Sequence, residues 1–555
     1  MSLNKIFRKK PVEQEFAHGT ALPEQSSLNK VLRVRDLTFF GIAAIIGAGS
    51  FSSMGEACFS GGPGVIFLFM ICALACGFTA LCYAEFASRV PTSGSAYTYA
   101  YVSFGELFAW IIGWALLMEY SIGNIYVAFS WSGYFTNLLD GVGVHIPEWL
   151  TTNYTSAHQA SLDNMAGEGL TAWTIAPQIG SLRIIFDLPA ILINAIITWL
   201  VYVGVKESRN LSNAMVMVKL AIIVLVIIVG CFYVDIDNWT PFTPNGFGGV
   251  MKGAAAVFFA YIGFDAVSTL AEESENPQRD LPRGMINSLV ICTVIYIILS
   301  LVLTGMVSYK QLGISDPLAE VFKIKGVKWM LFTVSIAAVV AMTSVLLVFQ
   351  MGQPRIWMSM SRDGLLPKRF SAIHPKYKTP GFSTIITGLV VGIPILFTDE
   401  KFVLDFTSIG TLFAFVLVCG GVLMLPKENE PRTTNKGRFS LPYINGKWIV
   451  PATVIISFGL LLHYIPEFVT GKFNVTSVNA SENIPMLIFF LLCVVMSVLS
   501  FIKNLSLIPV LGLISCCYLL TGMAASNWIW FFTWLLIGLI VYFTYSYKKS
   551  KLNTI

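Results

Sequence analysis

Three features sit where the chain is most apolar and chemistry is least expected. Lys219 lies about eight residues into a hydrophobic run, ~12 Å deep at 1.5 Å per residue. An ammonium at that depth is costly unless it meets backbone carbonyls or cycles its proton. The second feature is the run FFAYIGFDAVSTLAEESENPQRDLPRG, Phe258 to Gly284, where Gly263 and Asp265 break an otherwise apolar stretch. Glycine lets backbone leave helical geometry, and freed peptide groups are tolerated at bilayer depth only where they line a cavity or contact a ligand. The third is Gly47-Ala48-Gly49-Ser50 in mid-run. There the amides of Ala48 and Gly49 could open a second half-helix and present its positive end to an anion, or the small residues could simply allow close helix packing. Amides that take a carboxylate, beside unwound carbonyls that take an ammonium, suit a zwitterion.

Further carboxylates and rings surround these breaks. Asp265 follows the break and is read first as a gating or amide-capping group. Glu119, midway along the third span, is read equally as a partner for a cationic side chain or as a structural acid. Glu56 is expected at an outer vestibule, Glu85 and the Glu272/Glu273 pair at an inner gate or interface, and Asp405 and His463 as structural groups. Phe259, Tyr261 and Phe264 flank Gly263; one of them could close over a bound molecule while the other two pack.

The elements that position these groups are membrane helices. A chain of 555 residues that is 55% hydrophobic and only 12% charged reads as polytopic. Apolar runs give fourteen spans: 1–36 a cytoplasmic N-terminal arm, 37–234 five spans, 249–425 five more, 446–546 four accessory spans, and 547–555 a cytoplasmic tail. Spans 1 and 6 hold corresponding places in two sets of five. An odd number per set inverts the second, and paired interrupted helices in inverted repeats point to a midplane binding site. Most of the 36 Lys and Arg fall in segments that place both termini inside. The segment 139–183 is expected to be mobile or lightly packed, and it carries the sequon Asn153-Tyr154-Thr155. Span 8 is expected to end at 353, with short interfacial helices in 355–380 and a helix stop at Arg362-Asp363-Gly364-Leu365-Leu366-Pro367. The ten cysteines read as small buried side chains, and no removable signal peptide is expected.

Several function classes are disfavoured. Five histidines without metal spacing argue against a membrane enzyme. Isolated charges without a polar stripe argue against a channel, and no nucleotide-binding signature suggests ATP-driven transport. No cofactor, metal or nucleic-acid partner is expected.

GIAAIIGAGSF, LCYAEFASRVPTSGSAYTYAYVSFGELFAWIIGW, the 258–284 stretch and SRDGLLP resemble the cationic amino acid transporter group of the amino acid-polyamine-organocation superfamily, from about residue 33 to residue 425. The resemblance implies an all-α, five-plus-five inverted-repeat fold with four additional helices, working by alternating access. It implies that a substrate carboxylate meets the amides of Ala48 and Gly49, and that its amino group meets the carbonyls of Ile45, Phe259, Ala260 and Ile262. It also implies that Lys219 stands in for a sodium ion between spans 1 and 8, which means proton coupling; Thr343 and Ser344 of span 8 could be its neighbours. The expectation is uptake of L-amino acids across the plasma (inner) membrane, cationic slightly ahead of small neutral ones. An exchanger and a non-transporting sensor are the alternatives.

Overall fold

A computed structural model describes residues 8–10, 31–47, 49–90, 92, 94–163, 168–180, 182–204, 208–314, 316–425, 439–464, 480–523 and 525–553. The protein is an all-α polytopic membrane protein. Among the described residues, eight helical runs are long and apolar enough to cross a membrane by length and composition, and four more apolar helices are shorter. Two further spans are interrupted.

Span 1 is Val34–Ile45 followed by Gly49–Ser53 and Met54–Gly61. Span 2 is Val65–Arg89 and span 3 Glu106–Gly141, with Ala96–Ser103 between them. Spans 4 and 5 are Leu188–Val203 and Ser208–Cys231. Span 6 runs through Gly246–Lys252, Ala254–Phe259 and the tighter 3-10 turns of Phe264–Glu273. Spans 7 to 10 are Pro277–Met306, Lys328–Arg362, Gly381–Ile395 and Glu400–Met424. Spans 11 to 14 are Ile449–Tyr464, Ala480–Lys503, Leu507–Leu520 and Ala525–Val541.

Helices in lipid gain little from apolar contact, so close approach and internal hydrogen bonds decide who packs on whom. Span 3 packs along span 8, span 2 along span 7, and span 4 along span 9. Amides stitch spans 3, 4, 8 and 9 together. Asn124 Nδ2 donates to Gln350 Oε1 at 3.0 Å, and Gln350 Nε2 to Thr198 Oγ1 at 2.8 Å. Gln353 Nε2 reaches Ser121 Oγ at 2.7 Å, and Asn194 Nδ2 the Gly388 carbonyl at 2.9 Å. Each pair satisfies polar groups that hydrocarbon cannot, which fixes these four helices relative to one another.

Two expectations from sequence are corrected. Pro354 does not end span 8, which continues to Arg362; the Arg355 guanidinium folds back onto the Met351 carbonyl one turn away and serves the backbone there. The segment between spans 3 and 4 is a built lobe. Its helices Tyr154–Asp163 and Glu168–Ile175 and the hairpin Gln178–Ile179 with Leu182–Arg183 enclose Ala157, Ala172, Ala176 and Ile185. Asn153 Oδ1 accepts from Ser156 N at 2.7 Å to start the first helix, and Thr155 Oγ1 donates to the Phe397 carbonyl, fastening the lobe to the end of span 9. Span 14 is bonded directly to span 3. Trp110 Nε1 donates to the Gly538 carbonyl at 2.8 Å, and Trp114 and Trp534 exchange indole-to-carbonyl bonds at 2.9 and 3.0 Å.

Candidate functional site

Span 1 leaves helical geometry at Ile46 (φ −82°, ψ 100°) and resumes as a wide turn at Gly49. Ala48 lies outside the described residues. The Gly47 carbonyl accepts the N–H groups of Ser50 and Phe51 at 3.0 and 3.1 Å, so those two amides are satisfied within the turn. Span 6 breaks opposite. Tyr261 N–H bonds to the Phe258 carbonyl and Ile262 N–H to the Phe259 carbonyl, after which Gly263 adopts φ +115°, a left-handed conformation natural to glycine.

The glycines are needed because the two breaks touch backbone to backbone. A Cβ on Gly49 would stand 2.5 Å from Ala260 Cα, and one on Gly263 2.7 Å from Ala44 Cβ. Ser53 Oγ ties the second half of span 1 to span 6 through the Ala256 carbonyl at 3.1 Å, and the Tyr134 hydroxyl reaches the Phe51 carbonyl from span 3 at 2.7 Å.

Between the breaks lies a cavity of about 10 Å³, room for a single water. Ala44, Ile45, Gly49, Phe259 and Ile262 line it from spans 1 and 6, Val127 from span 3, and Val345 and Phe349 from span 8. Every side chain in that lining is apolar. Admitting a zwitterion would require the walls to part. Two expected carbonyl contacts are already in use: Ile45 accepts the Tyr296 hydroxyl at 2.9 Å, and Phe259 accepts Ile262 N–H at 3.1 Å. A carbonyl has two lone pairs, so each retains capacity for an ammonium.

Of the three aromatic residues around Gly263, Phe259 alone lines the cavity, its ring edge-on to Tyr126 at 4.7 Å. Tyr261 faces away, donating to the Phe69 carbonyl at 3.0 Å. Phe264 packs against Tyr83 and Phe415.

Lys219 is fully buried, and its ammonium donates to the carbonyls of Ile46 and Ala43 at 2.6 and 3.1 Å and to Ser344 Oγ at 3.0 Å. It therefore holds the unwound end of span 1 against span 8. Thr343 is not part of this contact; it sits a helical step away, donates to the Val339 carbonyl and receives Trp131 Nε1 at 2.9 Å.

Asp265 and Glu119 are buried but do not line the cavity. Asp265 lies in the first turn after the break at Gly263. Its Oδ2 and Glu119 Oε2 lack hydrogen-bond partners among the described residues, as do the neighbouring hydroxyls of Tyr83, Tyr99 and Tyr120.

At the end of the bundle that carries the arginines, span 6 is tied down by ion pairs. Arg355 of span 8 holds Glu273, Arg362 holds Glu272 at 3.2 Å, and Arg33 holds Glu275 at 3.0 Å. Glu85 belongs elsewhere: it pairs with Arg89 at 2.6 Å and accepts Leu441 N–H at 2.7 Å, anchoring the connection into span 11. Glu56 and His463 are exposed, and the side chain of Asp405 lies outside the described residues. Tyr296, Val127, Val345 and Phe349 were not singled out from sequence. Ordinary apolar helices carry them, and only three-dimensional placement distinguishes them.

Comparison with known proteins decides the family. An amino acid permease model matches residues 32–480, and a model for the C-terminus of such permeases matches 505–550. The chain belongs to the amino acid permease family. This permease is a transporter of the amino acid-polyamine-organocation superfamily, not an enzyme. It is 37% identical to the branched-chain amino acid permease of Bacillus subtilis (strain 168), over 99% of each chain. It is 38% identical to the methylthioribose transporter of the same organism, over 99% of this chain and 100% of that one. It is 31% identical to cationic amino acid transporter 4 of Homo sapiens, over 99% of this chain and 91% of the other.

Proposed function

We propose that this permease is a proton-coupled secondary transporter of L-amino acids with apolar, small or branched side chains. The observation that carries the reading is the lining of the cavity between the two breaks. Backbone groups there are the polar partners, which recognise the amino acid head, while Val127, Val345, Phe349, Ile262 and Phe259 supply the side-chain surface. A cationic side chain would meet no charge in that lining, so the neutral class is favoured over the cationic one. The names of relatives span branched-chain amino acids, methylthioribose and cationic amino acids, and only the first matches an apolar lining.

The residues 37–234 and 249–425 act as inverted repeats, a division supported by the packing of span 2 on 7, 3 on 8 and 4 on 9. The ion pairs of Glu272 and Glu273 close the cytoplasmic side, and their release opens it. At the opposite end an open depression of about 810 Å³, bordered by Phe59, Asn245, Lys252 and Tyr309, forms the outer approach. Substrate carboxylate meets the break of span 1 at Gly49, and substrate ammonium meets the carbonyls of Ile45, Phe259, Ala260 and Ile262. Lys219 couples the cycle to protons: charged, it holds Ile46 and Ala43; neutral, it frees span 1 to move. Both termini lie in the cytoplasm and the protein resides in the plasma (inner) membrane, in keeping with the basic residues around the Glu272 gate.

Competition binding on purified permease tests the substrate class. Unlabelled leucine and valine should displace bound labelled leucine, and arginine should fail to displace it at the same concentration. Equal displacement by arginine would contradict the apolar reading.

A further inference from the structure

Both ends of the chain close on the same pair of acids. Glu106, at the first turn of span 3, is wholly buried. Arg8 of the N-terminal arm approaches it at 3.4 Å, the hydroxyls of Tyr101 and Tyr542 donate at 3.0 Å each, and Ser550 Oγ donates at 2.5 Å. Its own N–H donates to the Arg8 carbonyl at 2.9 Å. Asp363, just past the end of span 8, takes Lys10 Nζ at 2.8 Å and the Tyr97 hydroxyl at 2.7 Å, and its carbonyl accepts Lys551 N–H at 3.1 Å.

The Arg362-to-Pro367 motif is the seat for the tail. Gly364 has φ +83°, and a Cβ there would stand 2.5 Å from the Lys549 carbonyl oxygen. Ser546 Oγ donates to the Leu365 carbonyl at 2.6 Å. The motif thus does more than stop a helix. Next to Asp363, Arg362 forms the ion pair with Glu272 of span 6. The N-terminal arm also touches the gate directly: Val31 and Leu32 N–H donate to the Glu273 carbonyl at 2.9 and 3.0 Å, and Arg33 pairs with Glu275.

We propose that the two termini form an ionic clasp on Glu106 and Asp363 that holds the end of span 8 in place and thereby keeps the Glu272 gate shut. Release of the clasp frees Arg362 and shifts the permease toward the form open at that end. The inference rests on the reading of the Glu272 and Glu273 ion pairs as a gate.

The test places a reporter behind the gate. Ser268 is buried on span 6 between the break and Glu272, bonded to Ser95 Oγ at 2.8 Å. In full-length permease with Cys231 replaced by serine, Ser268→Cys is labelled with a water-soluble maleimide in detergent, and the rate is compared across variants. Lys10→Glu and Ser550→Asp, which set a new carboxylate against Asp363 and against the buried Glu106 respectively, should speed labelling about three- to thirty-fold. The exchange Lys10→Glu with Asp363→Lys should return the rate toward the parent value. Ser550→Ala removes one donor without adding charge and should also speed labelling, which keeps the test open if the charged variants do not fold. Glu272→Gln must speed labelling on its own if the gate is read correctly. Faster labelling in Glu272→Gln with parent rates in every clasp variant would overturn the clasp and leave the gate standing; no change in Glu272→Gln would overturn the gate and the clasp with it.

Discussion

Lys219 Nζ stands 2.6 Å from the carbonyl oxygen of Ile46, the residue at which span 1 leaves helical geometry. The same ammonium reaches Ser344 on span 8, so one cation joins a broken helix to an unbroken one. A charge buried this completely persists because carbonyl and hydroxyl oxygens replace its water. Lys219→Met keeps the stem and removes the charge. Uptake driven by an inward proton gradient should fall to the level seen without one, while exchange of internal for external substrate continues. Gradient-dependent uptake equal to the parent's would remove Lys219 from coupling.

The contact of the two breaks is testable at one methyl group. Gly49→Ala places a carbon 2.5 Å from Ala260 Cα, and overpacking of this kind costs about 1–3 kcal/mol. The partner atom is backbone, so the spans must separate. Substrate binding, measured by direct titration, should weaken at least about tenfold, the equivalent of 1.4 kcal/mol. Binding at parent affinity would show that the crossing is not part of the site.

Arg355 and Glu273 are both buried at the ion-paired end of span 6. Glu273→Gln leaves the guanidinium with a neutral partner in a water-poor place, and breaking a buried pair by removing one charge costs about 3–5 kcal/mol. Thermal unfolding in detergent should show a clear drop in Tm. Double replacement by Gln at Glu273 and Met at Arg355 should recover most of it, since the desolvated charge is then gone. A single variant as stable as the parent would mean the pair contributes nothing to the closed form.

Phe259 covers the cavity and meets Tyr126 edge-on. Phe259→Ala removes apolar surface from the cavity lining, where, in the proposed site, a methylene's worth of contact with the substrate side chain is about 1–3 kcal/mol. The apparent KM for leucine should rise about tenfold, with a smaller effect for alanine, whose side chain reaches less far. Equal losses for both would place Phe259 in contact with the amino acid head instead.

What the sequence carried depended on whether a residue was out of place locally. Gly47, Gly49 and Gly263 interrupt apolar runs, and Lys219 is a charge at bilayer depth, so each could be found by type and position alone. The choice between Thr343 and Ser344 could not. Neighbours on a helix point about 100° apart, at 3.6 residues per turn, and the phase of span 8 relative to Lys219 is set by its packing on span 3. The segment between spans 3 and 4 reads as loose because it is long, polar and free of cysteine. Its order comes from small side chains enclosed by Trp149, Tyr154 and Trp173 and from a bond to span 9. The meeting of Arg8, Glu106 and Ser550 joins positions 98 and 444 residues apart, and nothing within any one stretch records it.

Uptake into proteoliposomes is the direct test of the central claim. Purified permease would be given labelled leucine or labelled arginine, with an inward proton gradient or with none. Leucine should accumulate above its external concentration only with the gradient, and arginine should stay near the level of empty vesicles in both conditions. Accumulation of arginine instead of leucine, or leucine uptake that ignores the gradient and follows internal amino acid alone, would contradict that claim.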